Sequence, residues 1–309
     1  MTTHHLPAEE STATQVLSRD TPPVLRMAPG DRVVVSSLDA WGHLERQETP
    51  GAVTPYRFPD RRGHALTGPI EVAGTEPGDV LALRFERLET ADWGWTAAGR
   101  RDDAFAQSLG LAGTDPAWLL WDLDRDAGTG TNQYGQSVQL APFLGVVGLP
   151  PAEHGEHSTT PPRAAGGGNI DCRELTAGAT LFLPVTVPGA LLHVGDGHAA
   201  QGDGEVGGTA IECGMTTTLT VDVLRDAPVA GIHAITPTSR ITFGFDADLN
   251  RATAEALGAM LTWLQRLYGL ERKTALALAS SVVDLRVTQI ANRTWGVHAV
   301  LGMDAVRTP

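Results

Sequence analysis

The 309-residue sequence predicts a mainly β protein with a smaller α+β part at its C-terminal end. Three observations lead there. Thirty-five glycines and twenty prolines, set among many Val and Thr residues, favour turns and strands over long helices. Short apolar runs recur, and in one of them Leu81, Leu83 and Phe85 alternate with Ala82, Arg84 and Glu86, the two-residue period of a half-buried strand. Sustained helical spacing enters late, where Leu257, Met260, Leu261, Leu264 and Leu267 recur at three and four residues.

Taken in order, residues 1–22 are polar, carry Pro7 and Pro22, show no periodicity and predict a mobile N-terminal arm. Residues 23–230 form a β-rich core, and 231–309 an α+β unit packed on it. Asp31–Ser37 predicts a strand, with Asp39 and His43 just past its end. From there a carboxylate and an imidazole reach a site at the sheet edge, or serve as a turn aspartate and a surface histidine. His64 reads as a loop histidine. Strands at 69–73 and 80–88 flank Gly-Thr-Glu-Pro-Gly-Asp (74–79), turn chemistry that predicts a hairpin. The stretch 89–165 is irregular and holds Trp93, Trp95, Trp118 and Trp121, suited to core or to pocket lining. Asp102, Asp103 and the acids at 122–126 read as solvated. Strands at 221–224, 231–235 and 241–245 lead to a helix over Leu249–Tyr268, capped by Asp248 and ended by Gly269. A second helix over 271–283 and a strand over 284–289 follow.

Charge and cysteine usage exclude several functions. A net charge of −13 argues against a nucleic-acid partner, since phosphate binding needs a basic patch. No apolar run is long enough to span a membrane, and the first thirty residues lack a signal-peptide core. Cys172 and Cys213 are too few for a disulfide framework, so a soluble cytoplasmic protein is expected.

The functional signal concentrates in 166–212. Within it, 194–205 packs Asp196, His198, Gln201, Asp203 and Glu205 among Gly195, Gly197, Gly202 and Gly204. Those glycines permit positive φ and close approach to a small ligand, and apolar runs at 181–187 and 190–194 predict buried strands that hold the loop. Asp-Gly-His puts residues 196 and 198 on one face of an extended backbone. A tight hydrogen-bonded corner is the plainer alternative for the cluster.

Five segments carry a family resemblance: GGGNIDCRELTAGATLFLPV (166–185), PGALLHVGDGHAAQGDGEVGGTAIE (188–212), LTGPIEVAGTEPGDVLAL (66–83), PFLGVVGLPP (142–151) and DLRVTQIANRTWGVHAVL (284–301). With them the chain resembles the acetamidase/formamidase family of linear-amide hydrolases. The resemblance implies hydrolysis of a small linear amide to a carboxylate and ammonia, packed β-sandwich or barrel-like units, and a homo-oligomer. It also favours Asp39 as a site residue and brings in His298, whose alternative is a core position.

Amide hydrolysis needs an activated nucleophile, a stabilised oxyanion and a proton for the departing nitrogen. Ser–Ser–Lys and Glu–Lys–Cys chemistries both require a lysine, and the only lysine, Lys273, reads as a solvated charge near a helix start. A G-x-S-x-G elbow is absent too. Metal-activated water is therefore expected, with Asp39, Asp171, Asp196, His198 and Glu212 as ligands. Mixed oxygen and nitrogen donors suit zinc foremost, with calcium, manganese and iron as alternatives. Catalysis is expected from Glu205 as general base, from His198, and from His193 as proton donor to the amine, unless His193 simply packs. Asn169, Gly168 and Gln201 are expected to bind the substrate or its oxyanion. Cys213, beside Glu212, is a rival nucleophile, set against inert burial in a strand with no histidine adjacent in sequence. Two other functions stand open: a larger amide as substrate, or a metal- or carbohydrate-binding β module without turnover.

Overall fold

Strand-forming sequence dominates the computed structural model, which describes residues 1–99 and 104–307; Asp102 and Asp103 lie outside them. Two large sheets share one apolar cluster, with Val33, Leu83 and Leu219 from one and Val147, Leu192 and Val194 from the other. The nine-stranded sheet runs, in spatial order, Thr3–Leu6, Asp31–Ser37, Met215–Leu224, Val80–Thr90, Thr180–Pro184, His233–Ile235, Ser239–Asp246, Trp295–Gly302 and Val283–Gln289. In the eleven-stranded sheet, Leu192–His198 lies between Phe143–Gly148 on one side and Leu66–Val72 and Glu212–Cys213 on the other.

Three expectations change. The segment expected as a mobile arm is paired: Thr3–Leu6 runs parallel to Asp31–Ser37, and Ala13–Thr14 pairs with Leu66–Val72. Thr2 N donates to Asp31 Oδ1 at 2.6 Å, fastening that strand further. The turn at 74–79 does not close a hairpin, because Leu66–Val72 belongs to the eleven-stranded sheet and Val80–Thr90 to the nine-stranded one. Its Pro-Gly-Asp chemistry carries the chain from one sheet to the other instead. The unit after residue 230 is continuous with the core sheet, since His233–Ile235 pairs with Thr180–Pro184.

The helices follow local signals closely. Asp248 accepts from Asn250 N at the start of Leu249–Tyr268, and Gly269, at φ 65°, ends it by donating to Gln265 O. The helix at Arg272–Val282 packs beside it, and both cover Val297, Ala299 and Leu301 of the sheet. Gly244 allows the approach, since a Cβ there would collide with the backbone around Ala252 and Ala256.

Candidate active site

Leu192–His198 is buried at every position, so its polar residues are held by the two sheets rather than by a free loop. Pairing puts His198 directly across from Glu212 on one side and Phe143 on the other. One strand over, Gly145 leaves a hollow. A Cβ there would lie 2.5 Å from Asp196 Oδ2, 2.6 Å from Asp171 Oδ1 and 2.8 Å from His198 Cε1. The Gly145 carbonyl also receives the amides of Ile170 and Asp171 at 2.9 and 3.2 Å, which carries Asp171 to the same spot.

Around that hollow, His198 Nε2 lies 3.4 Å from Asp196 Oδ1 and 3.3 Å from Glu212 Oε2. Donor atoms of Asp196, His198 and Glu212 fall within 4.8 Å of one another, and so do those of Asp171, His198 and Glu205. Glu205 comes from a loop pinned to the C-terminal strand, where Gly204 N donates to Thr288 O and Ile290 N to Gly204 O. Backbone strain marks the cluster: Asp171, Asp196 and Glu205 have φ of 52°, 59° and 44°, a region side chains other than glycine rarely enter. Of the glycines expected to supply positive φ, Gly204 does so at 96°. Gly195 and Gly197 serve close strand packing, since a Cβ on them would lie 2.7 Å from Ala65 O and 2.6 Å from Cys213 O.

The electrostatics are those of a site short of positive charge. Both Asp171 carboxylate oxygens, Asp196 Oδ1, His198 Nε2, Glu205 Oε2 and Glu212 Oε2 are buried without a hydrogen-bond partner. Burial pushes Asp171 and Glu205 well above the ordinary carboxylate range, each reinforced by nearby acids, and raises Glu212 to about 7. Burial opposes ionisation of Asp196 as well, but His64 and His198 outweigh it and hold that carboxyl below the usual range. Burial would discharge His198, yet Glu212 and Asp196 keep its imidazole protonated far above the ordinary value. A cation in the hollow satisfies these orphaned oxygens in one step, so the donor set fits a divalent metal.

Gln201 takes a different place from the one expected. Its Nε2 donates to Asp171 O at 2.8 Å, which turns Oε1 towards His198 Nδ1 at 2.9 Å. Nδ1 must then donate, and in the neutral ring Nε2 offers its lone pair to the hollow. Gln201 and Glu205 also line a cavity of about 570 Å³ whose walls include Trp121, Thr96, Val206 and Ile211.

Other expected residues lie outside the two donor groups. Asp39 Oδ1 accepts from the amides of Trp41, Gly42 and His43 and faces His43 Nδ1 at 3.0 Å, so its carboxylate is occupied in a local turn. His193 is fully buried with Nδ1 2.9 Å from Leu191 O, and burial lowers it to about 4, so at neutral pH the ring is uncharged and its one N–H is committed to that carbonyl. Asn169 and Gly168 sit opposite Val146 and Val147 in the sheet, next to Asp171 in the chain. Gly148 is needed opposite them because a Cβ there would lie 2.8 Å from the Gly168 Cα, and Gly168 itself adopts φ 122°. Cys213 is buried in the strand, and burial pushes its thiol far up, against a nucleophilic role.

Two residues escaped sequence reading. His64 lies with Nε2 4.0 Å from Asp196 Oδ2, and nothing local to its loop signals that. Gly145 had a usable signal, a glycine inside an apolar strand, which marks close approach by another group.

The model of the Acetamidase/Formamidase family matches residues 3–158 and 152–301. The chain belongs to that family. It is 46% identical over 230 residues to an acetamidase of Mycolicibacterium smegmatis, covering 52% of this chain and 54% of that one. It is 27% identical over 249 residues to a Schizosaccharomyces pombe relative, covering 64% of this chain and 60% of the relative, so it spans well under the full length of either. Among solved structures, an acetamidase from Bacillus halodurans superposes with a TM-score of 0.86 at 27% identity, covering 97% of both chains. No helix among the described residues is long and apolar enough to cross a membrane.

Proposed function

We propose that this protein hydrolyses the C–N bond of a small linear amide such as formamide or acetamide, giving a carboxylate and ammonia. The observation that carries the reading is the set of orphaned donors around Gly145, in a chain of this family. Asp171, Asp196, His198 and Glu212 would hold a divalent cation, zinc foremost, and when bound it polarises the amide carbonyl and lowers the pKa of water towards about 7.

The chain supplies the remaining chemistry. His198 offers Nε2 in the tautomer that Gln201 sets. Glu212 Oε1 accepts from Ala210 N at 2.9 Å, which leaves Oε2 facing the hollow. Glu205, on the cavity wall, takes the proton of the attacking water at its carboxylate and returns it to the departing nitrogen. Burial, reinforced by Asp171 and the other neighbouring acids, holds the Glu205 carboxyl well above the usual range; positive charge in the hollow would free it to act as a base. Asp171, Asp196, His198, Glu205 and Glu212 are each 6% exposed or less, and that burial strengthens their interactions.

The cavity of about 570 Å³ beside Glu205 is roomy for formamide and favours a larger amide as the second reading. A homo-oligomer belongs to the same proposal, supported by exposed Leu276 and Leu285 on the C-terminal unit and testable by sedimentation. The deciding experiment measures ammonia release from formamide, acetamide and longer or aromatic amides, alongside metal content before and after chelation. Ammonia from none of them leaves a binding module and ends the enzyme reading. Full turnover by protein shown to be metal-free ends the metal reading alone.

A further inference from the structure

Asp171 turns its carboxylate towards Gly145, while the next residue, Cys172, joins a separate group with Glu174 and His298. One donor atom from each of these three lies within 4.8 Å of the others. Cys172 Sγ is 3.1 Å from Glu174 Oε2, and His298 Nε2 is 3.5 Å from the same oxygen. Cys172 and His298 are fully buried, and His298 Nε2 has no hydrogen-bond partner.

The surroundings orient each donor. Thr288 Oγ1 lies 2.8 Å from His298 Nδ1, which leaves Nε2 as the nitrogen turned inward, the usual arrangement behind a metal-bound histidine. Arg286 Nη1 holds Glu174 Oε1 at 2.8 Å and so directs Oε2 to the thiol and the imidazole. The Glu174 side chain keeps 18% of its exposure, a way in for an ion from solvent.

We propose that Cys172, Glu174 and His298 form a second metal site, distinct from the cluster at Gly145, that takes one borderline-soft divalent ion of the zinc type. On binding, the Cys172 thiol releases its proton to solvent and the sulfur, the carboxylate oxygen and the imidazole nitrogen become ligands, with water completing the tetrahedron. Sulfur makes the site selective, since a thiolate favours zinc or cobalt over calcium, magnesium and manganese, and the cluster at Gly145 offers oxygens and one imidazole instead. The ion would clamp the segment after Gly167–Asn169 to the strand Trp295–Gly302 of the C-terminal unit. The site does not depend on the proposed hydrolysis.

The test uses cobalt, because cobalt bound to a thiolate gives a charge-transfer absorption band that oxygen and nitrogen ligands do not. Full-length protein stripped of metal is titrated with Co²⁺, and metal per chain is counted after loading with Zn²⁺. The expected result is a thiolate–cobalt band that is unchanged in Cys213→Ser and abolished in Cys172→Ser, with the loss of one zinc equivalent per chain. His298→Asn should weaken cobalt binding at the same band. If Cys172→Ser does not fold, the wild-type and Cys213→Ser spectra still decide. A folded wild-type protein without the band, or a band that survives in Cys172→Ser, overturns the proposal and leaves a hydrogen-bonded ion pair.

Discussion

Gln201 decides which nitrogen of His198 carries the proton: its Nε2 is committed to Asp171 O at 2.8 Å, so its Oε1 must accept from His198 Nδ1 at 2.9 Å. Removing that partner should loosen the ring and the Asp171 backbone while leaving every ligand side chain in the protein. Gln201→Leu is expected to weaken metal binding about 10- to 100-fold, the usual cost of losing the group behind a metal-bound histidine. Competition against a chelator of known affinity measures it. An unchanged affinity would show that the ring is oriented by its strand alone.

Gly145 predicts a steric version of the same result. In Gly145→Ala the new methyl falls 2.5 and 2.6 Å from Asp196 and Asp171 oxygens, where the cation should sit. The metal equivalent held at the hollow and turnover should both be lost while circular dichroism stays that of a folded β protein. A loaded, active Gly145→Ala enzyme would mean that the hollow is not the site.

Glu205→Gln separates base from ligand. With the base gone, turnover should fall by about 10² to 10⁴ while metal per chain stays near the wild-type value. Parallel loss of metal would instead make Glu205 a ligand, as its closeness to Asp171 and His198 permits.

Acid stability should follow the buried histidines. Burial lowers His193 and His233 to about 4 from the ordinary 6.5, so the unfolded chain binds more protons between those values. Their contribution is complete above pH 6.5 and is lost as the pH falls towards 4, by up to about 3 kcal/mol each. Glu174, whose own burial is outweighed by His298 and Cys172, sits at about 2 and adds a further loss between the ordinary 4.5 and 2. Urea melts from pH 7 to 4 on the metal-free protein measure the slope, and His233→Gln should flatten it. A flat profile in the wild type would contradict the burial-driven shifts.

Asp248→Ala removes the side-chain cap on Asn250 N and should cost about 1 kcal/mol without affecting turnover. Chemical denaturation checks it; a loss of activity at native stability would tie the helix to the site.

How far the sequence could be read follows from the range of the forces involved. The helix over Leu249–Tyr268 was legible to the residue because cap and stop are local hydrogen bonds, Asp248 to Asn250 and Gly269 to Gln265. Leu66–Val72 and Val80–Thr90 were legible as strands but not as members of different sheets, because Gly-Thr-Glu-Pro-Gly-Asp suits a crossing as well as a hairpin. Within the cluster, the Asp-Gly-His spacing was enough to bring Asp196 and His198 to one place. Asp39 stood between site residue and turn aspartate, with the family resemblance favouring the first, and in the structure it accepts the amides of its own Ala-Trp-Gly turn. Nothing in the chain near residue 64 announces Asp196, and that partnership exists only once the sheets have formed.

The placement of Asp31–Ser37 beside Met215–Leu224 has a consequence for how the molecule is made. A strand synthesised early must wait for one near residue 215 before its second edge is covered. Thr180–Pro184 waits over a shorter stretch, for His233–Ile235. Contacts this distant slow folding and leave strand edges open on the ribosome, where another nascent chain can pair with them. Yield in the cell should therefore depend on chaperone supply and growth temperature more steeply than the stability of the finished protein would suggest.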